Sequence, residues 1–292
     1  MFDLRYHVAS LAAVFVALLI GILVGVAMSG KVDDAEKQAL KSDVRRLNAE
    51  VEAAGEGRAN FTREQASIRA FVKNAYPSLI AGRLPEKRIG VIFAGTADAG
   101  IRQDIERTIA DAGAGTPTRM RALNVPIDVD AVGGKLNGDL RQYRDAGLDE
   151  LGRALADEFV EGGDTPAWSA LTSVFVEEKS GSFRRPLDGV VVVRTADPQK
   201  GETNLFLSGL YSALAEADLP TISVETSGDE TSAVRAWSEA GLSTVDDVDA
   251  PAGRLALALL LSGSPGGSYG VKKSAGDGIV PPIEPLPAQV GG

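Results

Sequence analysis

Two aspartates in this sequence stand where an α/β protein could carry an acid–base pair. Asp98 lies in the segment AGTADAG, residues 94–100, and Asp197 lies in RTADPQKGETN, residues 194–204. Each segment follows an apolar run that is typical of a buried strand, and open α/β sheets bind ligands at the carboxyl ends of their strands. The two carboxylates could pair as acids, but Asp98 also suits the cap of the next helix, and Asp197 suits a turn before Pro198.

The sequence offers few other groups for catalysis. Neither loop has the GxGxxG or GxxxxGK[ST] spacing that brings backbone N–H groups against a phosphate. Cysteine is absent and His7 is the one histidine, so thiolate nucleophiles and histidine clusters are excluded. A lone imidazole next to an apolar helix is more typical of an interfacial side chain than of a metal ligand. We therefore expect no catalytic residue, no cofactor and no metal site, and interpret the chain as non-enzymatic.

The composition of the chain limits the kinds of partner that it can bind. The chain has 292 residues, of which 44% are hydrophobic, and a net charge of −10. This is enough apolar material for a sizeable core. Nucleic-acid binding needs a basic face that replaces counterions, which the acidic balance does not provide. We expect no nucleic-acid partner.

The elements that must position these residues begin with an apolar segment. Val8 to Met28 reads VASLAAVFVALLIGILVGVAM and carries no charge. About 21 residues of helix span roughly 32 Å, the thickness of a bilayer core. The segment predicts a single-pass transmembrane anchor over 1–30, with the lipid bilayer as its partner. A cleavable signal peptide is the main alternative, and the flanking charges leave the orientation open.

Small residues recur every four positions along this segment, at Ala13, Ala17, Gly21 and Gly25. Such a ridge lets two helix backbones approach closely, so it predicts a helix–helix contact. Gly and Ala are also frequent in membrane helices without any such contact.

A charged, alanine-rich segment follows over 31–76. Leu40, Val44, Leu47 and Val51 have the 4-3-4 spacing of a coiled-coil seam, which predicts a stalk that forms a homodimer. We expect the run GEG, at Gly55–Gly57, to interrupt the seam, and a second helical run to end at Pro77. The alternative is an amphipathic helix that folds back on the globular domain.

Residues 77–262 alternate between strand and helix patterns. Continuous apolar runs predict buried strands over Arg88–Gly95, Asp188–Arg194 and Pro220–Glu225. This alternation is typical of a mostly parallel, doubly wound sheet with helices on both faces. A helical insertion is expected near 137–178, and the Gly/Pro-rich residues 263–292 are expected to form a tail. The predicted fold is therefore α/β, preceded by the transmembrane helix and the stalk.

The start of the chain resembles an actinobacterial cell-envelope family, that of the mycobacterial copper transport outer-membrane protein. Leu4, Arg5 and His7 match the family's Leu-Arg-x-His opening, and Tyr269–Gly270 and Pro281–Pro282 match segments near its end. The resemblance implies a role in copper homeostasis or efflux. A related branch is linked to control of cell-wall hydrolysis. It also implies a protein of the cell membrane whose larger part lies outside the cytoplasm.

The residues do not favour direct handling of copper. Cu(I) prefers thiolate and thioether ligands, and with no cysteine only Met1, Met28 and Met120 remain as soft donors. We expect the chain to act indirectly, as a dimeric binding scaffold with an envelope protein partner. A pore-forming oligomer is the transport alternative, although one helix encloses no channel.

Overall fold

The computed structural model describes residues 4–28 and 34–286. Contacts within the chain divide it into two units, Met1–Ile68 and Arg69–Gly292. Helix α1 spans Leu4–Met28 and helix α2 spans Asp34–Ile80. Parts of the predicted anchor and tail lie outside the described residues, namely 1–3, 29–30 and 287–292.

The prediction of an N-terminal transmembrane helix is wrong. Within residues 4–28 and 34–286, no helix combines the length and the apolarity that a membrane crossing requires. The prediction of a single-pass anchor over 1–30 depended on that helix and is therefore wrong as well.

Helix α2 is continuous over 47 residues. The predicted interruption at Gly55–Gly57 is therefore wrong, and the helix runs past Pro77 to Ile80. Glycine costs a helix only about 1 kcal/mol relative to alanine. The many Ala, Glu and Arg residues on either side favour the helix strongly enough to carry it across the two glycines.

The second unit is built on a seven-stranded sheet. In chain order, strands β1 to β7 span Ile89–Ala94, Arg119–Leu123, Val176–Gly181, Gly189–Arg194, Thr221–Val224, Ser243–Val245 and Ser268–Tyr269. The spatial order is β3-β2-β1-β4-β5-β6-β7. Every neighbouring pair is parallel except β2 and β3, which are antiparallel. The α/β class is confirmed, and the sheet is mixed.

In the part of the chain that the structure describes, eight further helices surround this sheet. In chain order, α3 to α10 span Ala99–Asp111, Val129–Lys135, Gln142–Ala146, Leu148–Glu161, Pro166–Phe175, Gly201–Glu216, Val234–Glu239 and Pro251–Leu261, with a short 3-10 helix at Gly138–Arg141. The predicted insertion over 137–178 contains that 3-10 helix, α5, α6 and α7, and it runs into strand β3.

The core has two layers because successive strand side chains point to opposite faces. On β1, Val91 and Phe93 face one layer, which holds α3, α10 and the end of α2 around Ile80. Ile92 and Ala94 face the other layer, formed largely by α6, α7 and α8. Strands covered on both faces account for the nearly unbroken Val and Ile runs in the sequence.

Strand β3 departs from the predicted parallel pattern. Its residues are exposed apart from the half-buried Val176, and it carries Glu177, Glu178 and Lys179 on the edge of the sheet. Charges on an edge strand oppose further strand pairing. Because β3 lacks an apolar run, the sequence pattern gave no indication of it.

Candidate functional site

The expected ligand crevice of this sheet lies between β1 and β4, where the strand order reverses. Two loops fill it by direct contact. The hydroxyl of Thr195 donates a hydrogen bond of 2.6 Å to the carbonyl of Thr96, and the N–H groups of Thr195 and Ala196 both donate to the carbonyl of Ala94 at 3.2 Å. Gly95 has φ of +121°, and a Cβ there would lie 2.6 Å from the Thr195 hydroxyl. These contacts join the loops after β1 and β4 to each other at the crevice.

Asp98 and Asp197 each have hydrogen-bond partners of their own. Asp98 caps α3, as predicted: its Oδ1 accepts the N–H groups of Gly100 at 2.9 Å and of Ile101 at 3.1 Å. Asp197 lies in the exposed loop after β4, where its carbonyl accepts the side-chain amide of Gln199 at 2.7 Å. Among the described residues, no hydrogen bond joins the two side chains.

A buried polar cluster lies further along the carboxyl edge, and sequence reasoning missed it. Glu225 follows β5 directly and is fully buried. Its Oε1 accepts Lys272 Nζ at 2.8 Å and the Ser232 hydroxyl at 2.6 Å, while its Oε2 accepts the N–H of Ala233 at 2.9 Å. The Arg194 guanidinium lies 3.5 Å from Oε2. The carboxylate therefore has a complete set of donors.

Asp246 follows β6 and holds the segment that comes after β7. Its Oδ1 accepts the N–H of Val271 at 2.8 Å, and the N–H of Lys272 lies 3.2 Å from its Oδ2. Gly270 has φ of +139°, and a Cβ at this position would lie 2.0 Å from Asp246 Oδ1. Only glycine fits there. The Tyr269–Gly270 segment thus belongs to a fixed contact between the sheet and the tail.

Asp247 differs from its neighbours because neither oxygen of its carboxylate has a hydrogen-bond partner in the described chain. The side chain is 1% exposed. Burial, followed by the negative charges of Asp246 and Asp249, raises the pKa of Asp247 to about 7. This carboxyl group is protonated in mildly acidic solution.

A cleft of about 300 Å³ opens beyond β4. Its lining includes the charged groups Arg194, Asp197, Asp229 and Glu230. The Arg194 guanidinium already donates to the carbonyl of Thr231, and Asp229 Oδ2 accepts the N–H of Thr226 at 2.7 Å. Two of these charged groups are thus held by the chain itself. The cleft could admit a small polar molecule, but it presents no activated nucleophile.

The segment Gly266–Gly270 reads GGSYG and has the GxSxG spacing of serine hydrolases. Sequence reasoning missed this match. In hydrolases the serine stands on a sharp turn between a strand and a helix, with a histidine as its base. Here Ser268 lies within β7, and its hydroxyl is 3.0 Å from that of Ser238. The only histidine of the chain is His7, so the structural context does not fit a hydrolase.

Two buried arginines form a second polar cluster, on β2. Arg119 and Arg121 lie beneath the ring of Phe183, with guanidinium carbons 4.8 Å and 4.4 Å from the ring centroid. Phe159 and Trp168 add further ring contacts at 5.8 Å and 6.0 Å. Burial, followed by the charge of Arg121, lowers the pKa of Arg119 to about 10. Ring faces thus provide much of the favourable environment for these charges.

Neither arginine has a carboxylate partner in the described residues. Arg119 donates to the carbonyl of Arg185, and Arg121 donates to the carbonyls of Met120 at 2.6 Å and Ser180 at 2.8 Å. These bonds tie β2 to β3 and to the loop before β4. We interpret the cluster as structural.

A protein-family model, described as copper transport outer membrane protein, MctB, matches residues 1–280. That match covers nearly the whole chain. The chain belongs to the MctB family. Membership implies a role in copper transport or homeostasis, as the resemblance suggested. The family's description names an outer membrane protein, whereas the described residues contain no membrane-spanning helix. No curated protein matches the chain.

The described residues of this MctB-family chain include no cluster of side chains that could hold copper. Among the described residues, no group of three His, Cys, Asp or Glu side chains is placed to hold a metal ion. Met120 is buried in the apolar core at 2% exposure. Met28 and His7 lie within α1, and Met1 lies outside the described residues. Copper, as the cargo that the family name implies, finds no cluster of soft donors in the described part of the chain.

The predicted helix-packing residues lie on α1. Ala13, Ala17, Gly21 and Gly25 are all exposed, and a Cβ added at Gly21 or Gly25 would meet no atom within 4 Å. Their contact with a second helix stays a prediction. The argument that a lipid environment makes this contact favourable no longer applies.

The predicted seam residues lie on α2. Leu40 and Val44 are half-buried, whereas Leu47 and Val51 are exposed. Coiled-coil pairing also stays a prediction.

Proposed function

We propose that this MctB-family chain is a non-enzymatic scaffold of the cell envelope, which takes part in copper homeostasis or efflux as a homodimer. On this proposal the α/β domain lies outside the cytoplasm and acts through an envelope protein partner. The actinobacterial origin that the resemblance implies is part of the same proposal.

The observation that carries the proposal is the state of the sheet's carboxyl edge. This is where an open α/β enzyme would bind its substrate. Here Thr195 donates a hydrogen bond to the carbonyl of Thr96 at the crevice between β1 and β4. Further along the edge, Lys272 fills the position beside Glu225. A domain whose expected site is occupied by its own chain is better suited to present surfaces than to turn over a substrate.

A complementation experiment tests the proposal. A strain that lacks its own copy of the gene receives the parent chain or the variants Asp98→Ala, Asp197→Ala and Ser268→Ala, and growth and cell-associated copper are measured in raised copper. We expect the parent and all three variants to restore copper tolerance equally. Loss of tolerance in a variant that still folds would favour an enzyme. Failure of the parent to alter copper tolerance would contradict the copper role.

Digestion by added protease tests the location. The α/β domain should be cleaved on intact cells whose outer layers admit the protease. Cleavage that occurs only after lysis would contradict the placement outside the cytoplasm.

A further inference from the structure

Helix α2 exposes a row of large apolar side chains. Leu47, Val51, Phe61 and Ile68 are 44%, 71%, 62% and 50% exposed. Isolated surface apolar residues need no explanation, but a regular row along one helix indicates a surface that is covered by another molecule or segment.

The row is longer than the sequence suggested because α2 does not break at Gly55–Gly57. With a continuous helix, the 4-3 spacing extends to Ile68 without a change of phase. We call this row the α2 seam. Its members are Leu40, Val44, Leu47, Val51, Ala54, Arg58, Phe61, Gln65 and Ile68. About four heptads are covered, which is enough for a coiled coil.

The residue types in the seam favour a coiled coil of two parallel helices. In heptad notation, Val44 and Val51 occupy a positions, while Leu40 and Leu47 occupy d positions. β-Branched residues at a with leucine at d favour a parallel dimer. Arg58 at the next a position is followed one heptad later by Gln65, and polar a residues fix the register of two helices.

The charges at the e and g positions, which flank the seam, independently favour parallel helices. Between residues 41 and 69, the g positions are acidic or glycine, and the e positions are basic, uncharged or glycine. The charged g residues are Asp43, Glu50 and Glu64, and the charged e residues are Lys41 and Arg69. In a parallel pair of helices, each g position lies beside an e position of the partner helix. Glu64 would therefore lie beside Arg69 of the partner subunit. An antiparallel pair would place g positions opposite g positions, where the acidic residues Asp43, Glu50 and Glu64 would have no basic partner.

We propose that the α2 seam binds the α2 seam of a second copy of this chain, as a parallel, in-register, two-stranded coiled coil. The inference deepens the homodimer of the proposed function and rests on it. Arg46 lies 3.4 Å from Asp43 and 3.9 Å from Glu50 within the same helix. Exposed pairs of this kind contribute little, so both acids are available to the partner helix.

Single cysteines test the direction of pairing, since the parent has none. In the full-length chain, Leu47→Cys and Phe61→Cys place a thiol at two separate d positions, and Ala49→Cys places one at an f position on the outer face. A short bis-maleimide should link both d variants to dimers, with about tenfold more product than the f variant, because only facing Cβ atoms are close enough. Linking of only one d variant would indicate antiparallel strands. Linking of neither above the Ala49→Cys background would overturn the proposal.

Light scattering on the full-length chain tests the seam itself. The parent should have the mass of a dimer. Leu47→Asp with Val51→Asp should give a monomer with unchanged helix content, whereas Ala49→Asp should stay dimeric. Glu64→Lys and Arg69→Glu should each weaken the dimer, and the two together should restore it. A monomeric parent would overturn the proposal and would indicate that α2 packs on its own chain.

These outcomes are separate from the test of the scaffold role. A monomeric variant that still restores copper tolerance would leave the scaffold role intact and remove the dimer from it. A dimeric parent that fails to restore tolerance would leave the dimer intact and contradict the role in copper homeostasis.

Discussion

Lys272 Nζ lies 2.8 Å from Oε1 of Glu225, whose side chain has no exposure to solvent. The lysine comes from the segment after β7, whereas the glutamate directly follows β5. The same ammonium donates to the carbonyl of Asp229 at 3.1 Å. A single cation thus joins the segment after β7 to the carboxyl edge of the sheet.

Replacing this lysine should destabilise the domain strongly. Lys272→Met leaves a buried carboxylate whose remaining cation, Arg194, lies 3.5 Å away. Removing one partner of a buried ion pair costs about 3 kcal/mol or more. Urea unfolding should show this loss, while Lys273→Met, at the exposed neighbouring position, should change stability by less than about 0.5 kcal/mol. Equal effects of the two substitutions would contradict the role of the contact.

Asp247 should make the domain less stable as the pH rises. Its pKa is raised from 3.8 to about 7 in the folded chain. Between these values the folded state holds a proton that the unfolded state has lost, so the free energy of unfolding falls with increasing pH. The resulting loss in the free energy of unfolding between low and high pH is about 4 kcal/mol at most.

Asp247→Asn tests this dependence because it removes the charge and keeps the shape. The variant should unfold at a higher urea concentration than the parent at pH 8 and at a similar one at pH 4. The exposed Asp218→Asn serves as the control and should leave the pH profile unchanged. A parental profile that Asp247→Asn does not flatten would show that the carboxyl is ionised without penalty.

The ring of Phe183 should stabilise the two buried arginines. Phe183→Leu removes the ring face that lies 4.8 Å from Arg119 and 4.4 Å from Arg121. Desolvated cation–π contacts contribute up to about 2 kcal/mol each, and the smaller side chain also leaves space. A double-mutant cycle with Arg119→Met and Arg121→Met separates the two contributions in urea unfolding. The ring should matter less in the Met background, and additive effects would show that packing alone accounts for the loss.

Much of the fold could be predicted from the sequence because its strands are covered on both faces. The apolar runs around Val91 and Val191 predicted β1 and β4, and the cap at Asp98 marked the start of α3. Strand β3 could not be predicted, since its pairing with β2 satisfies the backbone while its side chains face water. The transmembrane prediction was wrong, since no helix among the described residues has the length and apolarity that a membrane crossing requires.

The polar cluster at the carboxyl edge could have been found in part. Asp246 and Asp247 follow a short apolar run, in the position where α/β proteins place polar functional groups. No sequence pattern connected them with Lys272, because that contact depends on how the tail returns to the sheet. The sequence favoured Asp98 and Asp197 instead, because each follows a long apolar run.

Copper should bind this chain no better than it binds an acidic control protein without cysteine or histidine. Carboxylates alone form weak, hydrated sites for Cu(II) and poor ones for Cu(I), and Met120 is enclosed in the apolar core. Calorimetry with Cu(I) and Cu(II) should therefore show no tight stoichiometric site, and Met120→Leu should leave the titration unchanged. A tight site in residues 88–286 would contradict this prediction. If the chain also restores copper tolerance in cells, weak binding would place its role in the recruitment of a partner that does bind the metal.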